Sequence, residues 1–240
     1  MRLFTDIGVD FVPHFAPLHY LPFIARSKSL LSKRALSKLG YADSHFRSRS
    51  KNTDIARGFG GYAFLTLSHD PEIIQAKLKG GFPHISIRVP VSAFDSMRFD
   101  LCRYNVAMAR RTTDSPTGGF KESDTNGRYY GDRKIPIARS DGDKIRMLRK
   151  HYPIGTMIEV LVHEKLPLPN GTEVHCFSEE DHDIAKRIIN GYGLTWGVYE
   201  VTPPGVYNRN QDYAEKVLRF IERTKDDEHW RGDGLEFDRV

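Results

Sequence analysis

The stretch Met157-Ile158-Glu159-Val160-Leu161-Val162 decides more of the fold than any other in the chain. Its period of two predicts a strand with Ile158, Val160 and Val162 on one face and Glu159 and Leu161 on the other. A carboxylate in the middle of such a strand costs several kcal/mol if buried without a partner. Glu159 must therefore face solvent, pair with a cation or line a cleft. The long polar stretch upstream, and arginines with no acidic neighbours, add weight to the cleft.

Working outward, Thr172-Glu-Val-His-Cys-Phe177 predicts a second strand after the turn-forming Pro167-Leu-Pro-Asn-Gly171. A helix is expected over Glu179–Asn190, with Ile184, Ile188 and Ile189 facing inward, and another over Gln211–Arg223 before a charged tail. Upstream, Tyr62–Leu67 and His84–Val89 predict strands, and Pro71–Leu78 a helix entered at Asp70. Asp141 or Asp143 is expected to cap a short helix running through Lys150. Leu21, Ile24, Leu30, Leu31, Ala35 and Leu39 recur at near-helical intervals, predicting one or two short basic amphipathic helices over residues 17–39. Residues 40–61 and 111–134 read as long loops. Strands and helices mix without a regular alternation, so the class is α+β. The expected organisation is one domain over residues 1–205, with residues 206–240 forming a C-terminal helix and charged tail.

Composition narrows the function classes. Hydrophobic residues make up 39% of 240 and charged residues 28%, enough apolar material for a sizeable core. No apolar run approaches the ~18 residues of a membrane span. Asp6 and Asp10 interrupt what a secretory signal would keep apolar. Cys102 and Cys176 alone make no disulfide framework, and a reducing cytoplasm is the expected compartment. Net charge is 36 − 31 = +5, unevenly spread: residues 1–150 balance 26 against 14, or +12, and residues 151–240 balance 10 against 17, or −7. Such polarity suits a polyanion, either nucleic acid or a phosphorylated cofactor, on one face, and equally a solvated surface whose charge is unevenly spread; charge alone does not decide between them.

Several motifs are excluded by context. Gly58-Phe-Gly60-Gly61 precedes a strand rather than a helix and has no Gly-Lys-Ser/Thr ending, so it is no phosphate loop. Neither His-x-x-x-His nor Cys-x-x-Cys occurs, and no metal is expected. Asn170-Gly-Thr172 is a turn, and the absence of Gly-x-Ser-x-Gly weakens a hydrolase reading. Arg128, Tyr129, Tyr130 and Arg133 offer what a single strand of nucleic acid needs: guanidiniums for phosphate and rings on which bases stack.

The segment His14-Phe15-Ala-Pro-Leu-His-Tyr20-Leu21-Pro22-Phe-Ile24, followed by Ser29-Leu-Leu-Ser32, resembles the opening motif of the DarT-type ADP-ribosyltransferase toxins, which modify bases in DNA. Arg47 and Arg49 lie where that family places an arginine, Asn105-Val-Ala107 is similar to an Asn-Ala element, and Glu159-Val-Leu-Val-His163 resembles the strand of the catalytic glutamate. The match in order and spacing covers roughly residues 11–190. Tyr20 stands where the family usually has Asn, Ala16-Pro17 replaces Thr-His, and Thr66 stands where an aromatic is common.

The resemblance implies an ADP-ribosyltransferase-like split β-sheet core with N-terminal and peripheral helices, and NAD as co-substrate in the cleft between two sheets. It makes Glu159 and Arg49 catalytic. His14, Tyr20, Arg47 and Arg49 would hold NAD, with Arg57 a further candidate for its phosphates, and no metal is implied. The acceptor would be a thymine or guanine in single-stranded DNA, gripped through Arg128, Tyr129, Tyr130 and Arg133, and a separate antitoxin protein would be the partner. Two alternatives stand beside it: the same transfer to RNA or protein, and a non-enzymatic nucleic-acid-binding module.

Overall fold

The computed structural model describes residues 3–38, 59–67, 71–79, 81–103, 137–152 and 158–224. Two four-stranded sheets dominate. The first runs β1 (Phe11–Pro17), β4 (His84–Pro90), β9 (Glu173–Cys176) and β10 (Gly197–Glu200) in that order; the second runs β3 (Tyr62–Thr66), β7 (Glu159–His163), β5 (Phe99–Cys102) and β6 (Ile137–Ala138). A ribbon of β2 (Ser29–Leu31) and β8 (Lys165–Pro167) lies beside them. Both sheets turn their period-two apolar face to one core. Val12, Ile85, Ile87, Val89 and Val174 come from the first sheet, and Leu65, Leu101, Val160 and Val162 from the second. Each such side chain contributes roughly 1.5–3 kcal/mol on burial, so the alternation that predicts Val160 and Val162 as inward-facing also fixes the register of β7.

The N-terminal segment corrects the sequence expectation. His14 lies just ahead of the helices expected over residues 17–39 and sits mid-strand in β1, a strand that the sequence reading does not include, opposite Ile87 of β4. Pro13 and Pro17 hide this strand from propensity, since a proline donates no hydrogen bond to a ladder. Both are tolerated because β1 is an edge strand. The helix begins only at α1 (Leu21–Ser27) and ends at Lys28, whose φ of 47° turns the chain into β2. Leu30 and Leu31 are thus strand residues, and helix resumes at α2 (Lys33–Lys38).

Helix α3 (Pro71–Leu78) forms as expected. The cap of α4 (Asp141–His151) is Ser140, whose hydroxyl accepts from Asp143 N at 3.2 Å, not Asp141 or Asp143, which occupy the first turn. Ser178 caps α5 (Glu179–Gly191) in the same way, and α5 carries the chain from β9 to the parallel β10. The expected loop regions 40–58 and 111–134, and Asp70, lie outside the described residues.

A strap leads to the last helix, α6 (Gln211–Thr224). Asp181, fully buried on α5, accepts from Arg209 Nε at 2.9 Å and from the Tyr207 hydroxyl at 3.1 Å. On the strap's other side Asn210 N donates to Gly81 O at 3.0 Å. Gly81 has φ +75°, and a Cβ there would stand 2.2 Å from Asn208 O. Only glycine fits both the conformation and the approach. Phe220 of α6 then packs against His19 and Phe23, at ring separations of 5.8 and 6.1 Å.

Candidate active site

The two sheets meet where β1 and β3, one edge strand from each, come together. Leu67 N bonds Ile158 O and Glu164 N bonds Gly61 O, both at 2.8 Å. This alternation makes Tyr62, Phe64 and Thr66 the non-hydrogen-bonded positions of the β3–β7 ladder, with their backbone groups turned out toward the split. His14 takes up one of them: its Nδ1 donates to Phe64 O at 2.7 Å. A ring donating through Nδ1 keeps Nε2 as an acceptor while it is neutral. Burial, with a smaller contribution from the Lys77 charge, holds the His14 pKa below its ordinary value, so neutrality is its state near pH 7.

Glu159 opens β7 and is 7% exposed. The solvent-facing reading of this residue is therefore excluded. Thr66 stands opposite it on β3 and Cys102 on β5. Strand spacings put the Glu159 and Phe64 Cα atoms roughly 8 Å apart, so Glu159 lies one strand over and two residues along from the residue whose carbonyl His14 bonds. Beside it on the same face is a small apolar cluster of Phe59, Cys102 and Leu161, edged by Tyr62, Phe64 and Ile137. A carboxylate with few waters and low-dielectric walls acts strongly on any positive charge that develops next to it.

The same face holds a second carboxylate that sequence reasoning missed. Asp100 is 3% exposed, pairs in register with Leu161, and so lies diagonally from Glu159. It accepts from the Tyr62 hydroxyl at 3.4 Å and has His163 Nε2 at 3.4 Å and Arg139 Nε at 3.9 Å. Burial and the Asp100 charge push the Tyr62 pKa up. The signal available was the alternation Phe99-Asp100-Leu101-Cys102, too short to separate from a loop.

Of the other predicted site residues, Tyr20 ends the 3₁₀ turn Leu18–Tyr20 that joins β1 to α1, half-buried with its ring edge-on to His19 at 4.5 Å. Arg47, Arg49, Arg57, Arg128, Tyr129, Tyr130, Arg133 and Asn105-Val-Ala107 lie outside the described residues. The attachment of the segment carrying Arg128–Arg133 is defined, however. Leu101 pairs with Ala138 and Cys102 with Ile137, while Cys102 also pairs with Glu159. The described chain before residues 104–136 thus ends just past β5, next to the Glu159 strand, and after them resumes on β6, two strands from it. Among the described residues no group of three or more His, Cys, Asp or Glu side chains is placed to hold a metal ion, and no helix is long and apolar enough to cross a membrane.

Comparison with protein-family models gives no match, and comparison with curated protein sequences gives none either. Comparison with solved structures does. The chain is similar to Thermus sp. 2.9 DarT in complex with carba-NAD+, at 12% identity and a TM-score of 0.51, over 82% of this chain and 97% of that one. It is similar to the same protein in complex with NAD+, at 10% identity and a TM-score of 0.50, over 80% and 96%. Its complex with ADP-ribosylated single-stranded DNA matches at 10% and 0.50, over 79% and 94%. The chain has a DarT-type α+β fold, as its sequence resemblance implied.

Proposed function

We propose that this chain is an NAD-dependent ADP-ribosyltransferase that transfers ADP-ribose to a base, thymine or guanine, in single-stranded DNA. The observation that carries the reading is Glu159, withdrawn from water on the strand next to the split that His14 bridges. The fold shared with a protein solved in complex with NAD+ and with ADP-ribosylated single-stranded DNA supports it.

The chemistry follows from the residues. Breaking the bond between nicotinamide nitrogen and ribose C1′ sends the electron pair to neutral nicotinamide and leaves an oxocarbenium-like ribosyl cation. Glu159 stabilises a positive charge that exists only in the transition state, so its interaction raises kcat rather than merely tightening NAD. A nitrogen of the acceptor base then bonds to C1′, and its proton passes to Glu159. His14, neutral and with Nε2 as acceptor, takes a hydrogen bond from the adenosine ribose hydroxyl. Tyr20 closes the NAD pocket. Arg49 grips the diphosphate through a bidentate fork that a lysine does not reproduce, with Arg47 and Arg57 as the alternatives. Arg128, Tyr129, Tyr130 and Arg133, on the segment rooted at Cys102 and Ile137, hold the acceptor. A base that attacks C1′ through one of its nitrogens has to lie outside the duplex, hence a single strand. No metal takes part. The biological setting proposed is a cytoplasmic toxin whose partner is a separate antitoxin protein.

Mass spectrometry of single-stranded oligonucleotides incubated with the chain and NAD tests the reading. The expected result is one added ADP-ribose on a single base type. Labelled NAD incorporated into RNA or protein but not DNA would move the acceptor, and no NAD consumption with any polymer would end the proposal.

A further inference from the structure

Two rows of side chains cross the Glu159 face of the second sheet, and register fixes both. Thr66, Glu159 and Cys102 stand in line on β3, β7 and β5, and Ile137 of β6 continues that line. Phe64, Leu161 and Asp100 form the next row. Carrying the β5–β6 register one residue further puts Arg139 opposite Asp100. The backbone pairing of β6 is only two residues long, and so short a ladder depends on the side chains that face one another across it. A third rung is present: Arg139 Nε lies 3.9 Å from Asp100 Oδ2. The guanidinium is 70% exposed and the carboxylate 4%, so a cation reaches in from outside to a charge fixed from inside. The Tyr62 hydroxyl and His163 Nε2, each 3.4 Å from the same oxygen, fix it.

The residue that this rung holds down is Ile137. It packs against Phe59, Cys102 and Leu161, the last two with no exposed surface. Cys102 stands between Ile137 and Glu159 in their row. Peeling β6 away opens the row to water from its end, Cys102 first and Glu159 next.

We propose that Asp100 and Arg139 are positioning residues whose pair pins β6, so that Ile137 keeps water out of the apolar row beside Glu159. The consequence for catalysis rests on the function proposed above. Once C1′ has parted from the nicotinamide nitrogen, which keeps the electron pair, it bonds either to a nitrogen of the base or to the oxygen of a water. In each case the proton lost by the nucleophile passes to Glu159, and the second case yields free ADP-ribose. A dry row favours the base. The pin thus sets the share of NAD that ends in transfer rather than in hydrolysis.

Cys102 is a built-in reporter. The whole chain is treated with N-ethylmaleimide under native conditions, and labelling of its two buried thiols is followed separately by mass spectrometry of peptides. Cys176, in the first sheet, is the control for general opening. Arg139→Gln is expected to speed Cys102 labelling about fivefold and leave Cys176 unchanged. Arg139→Lys keeps the charge and is expected to stay within about twofold of the parent. Arg139→Glu sets like charges across the ladder and is expected to exceed Arg139→Gln. In an Asp100→Asn background, Arg139→Gln is expected to add nothing. With labelled NAD and a single-stranded oligonucleotide, Arg139→Gln is expected to lower the ratio of transferred to hydrolysed ADP-ribose about fivefold, with total NAD consumption within about twofold. Cys102 labelling no faster in Arg139→Gln than in the parent overturns the pin. A rise shared equally by Cys176 marks general loosening and overturns it too. A local rise with an unchanged ratio overturns the exclusion of water. A local rise in a chain that consumes no NAD upholds the pin and removes the transferase, so the two readings fail separately.

Discussion

Glu159 and Asp100 stand on neighbouring strands of one face, and the difference in their surroundings separates their work. Asp100 has three groups converging on one oxygen, a holding arrangement; Glu159 opens β7, one strand in from the split. Glu159→Gln keeps shape and loses charge, so transfer is expected to fall by about 10²–10³-fold with an unchanged melting temperature, read by incorporation of labelled NAD. Glu159 was legible in the sequence because an ionisable group broke an apolar alternation. Asp100 was not, because its strand is four residues long and flanked by Arg98 and Arg103. Histidine chemistry gives a pH signature. Burial, reinforced by the Lys77 charge, holds His84 at about 4, against an ordinary 6.5. Between those values the unfolded chain binds a proton that the folded chain refuses, so stability rises with pH across the window and is lost as pH falls. The loss expected from this one ring is about 2–3 kcal/mol, checked by denaturant titrations at pH 7.5 and 4.5. The His84→Gln variant is expected to show a correspondingly shallower decline.

Among the elements, those with long period-two or helical patterns were readable: β3, β4, β7, β9, α3, α5 and α6 fall within a residue or two of expectation. Those missed share physical causes. Prolines masked β1; β2, β6 and β8 are three residues or fewer and exist only through their partners. β10 follows its helix by a parallel crossover that no local pattern announces. The strap between β10 and α6 was equally silent, since Asp181, Tyr207 and Arg209 are ordinary polar residues until the fold brings them together. Removing the carboxylate with Asp181→Ala strands a buried guanidinium and is expected to cost about 3–5 kcal/mol by chemical denaturation. Gly81→Ala presses on the strap from its other side and is expected to cost more than about 2 kcal/mol. Because both act on one segment, their combined cost should fall short of the sum.

At the scale of the molecule, the α+β class was legible from the mix of elements and the split sheet only through the resemblance of the opening motif; no local pattern announces the split, for it depends on β1 and β3 meeting across sheets and on a side chain, His14, closing the gap. The excess of +12 in residues 1–150 over −7 in the remainder was legible and has a measurable consequence. Raising salt from about 50 to 200 mM is expected to weaken single-strand binding at least tenfold, followed by the fluorescence anisotropy of a labelled single-stranded oligonucleotide. The attachment of residues 104–136 through the pairs Leu101–Ala138 and Cys102–Ile137 has an evolutionary consequence. A stretch of chain entered and left through neighbouring rungs of a ladder is a cassette: it can be exchanged among relatives while the paired strands on either side stay as they are. On the function proposed above, acceptor preference becomes an inheritable module, free to diverge at a pace of its own.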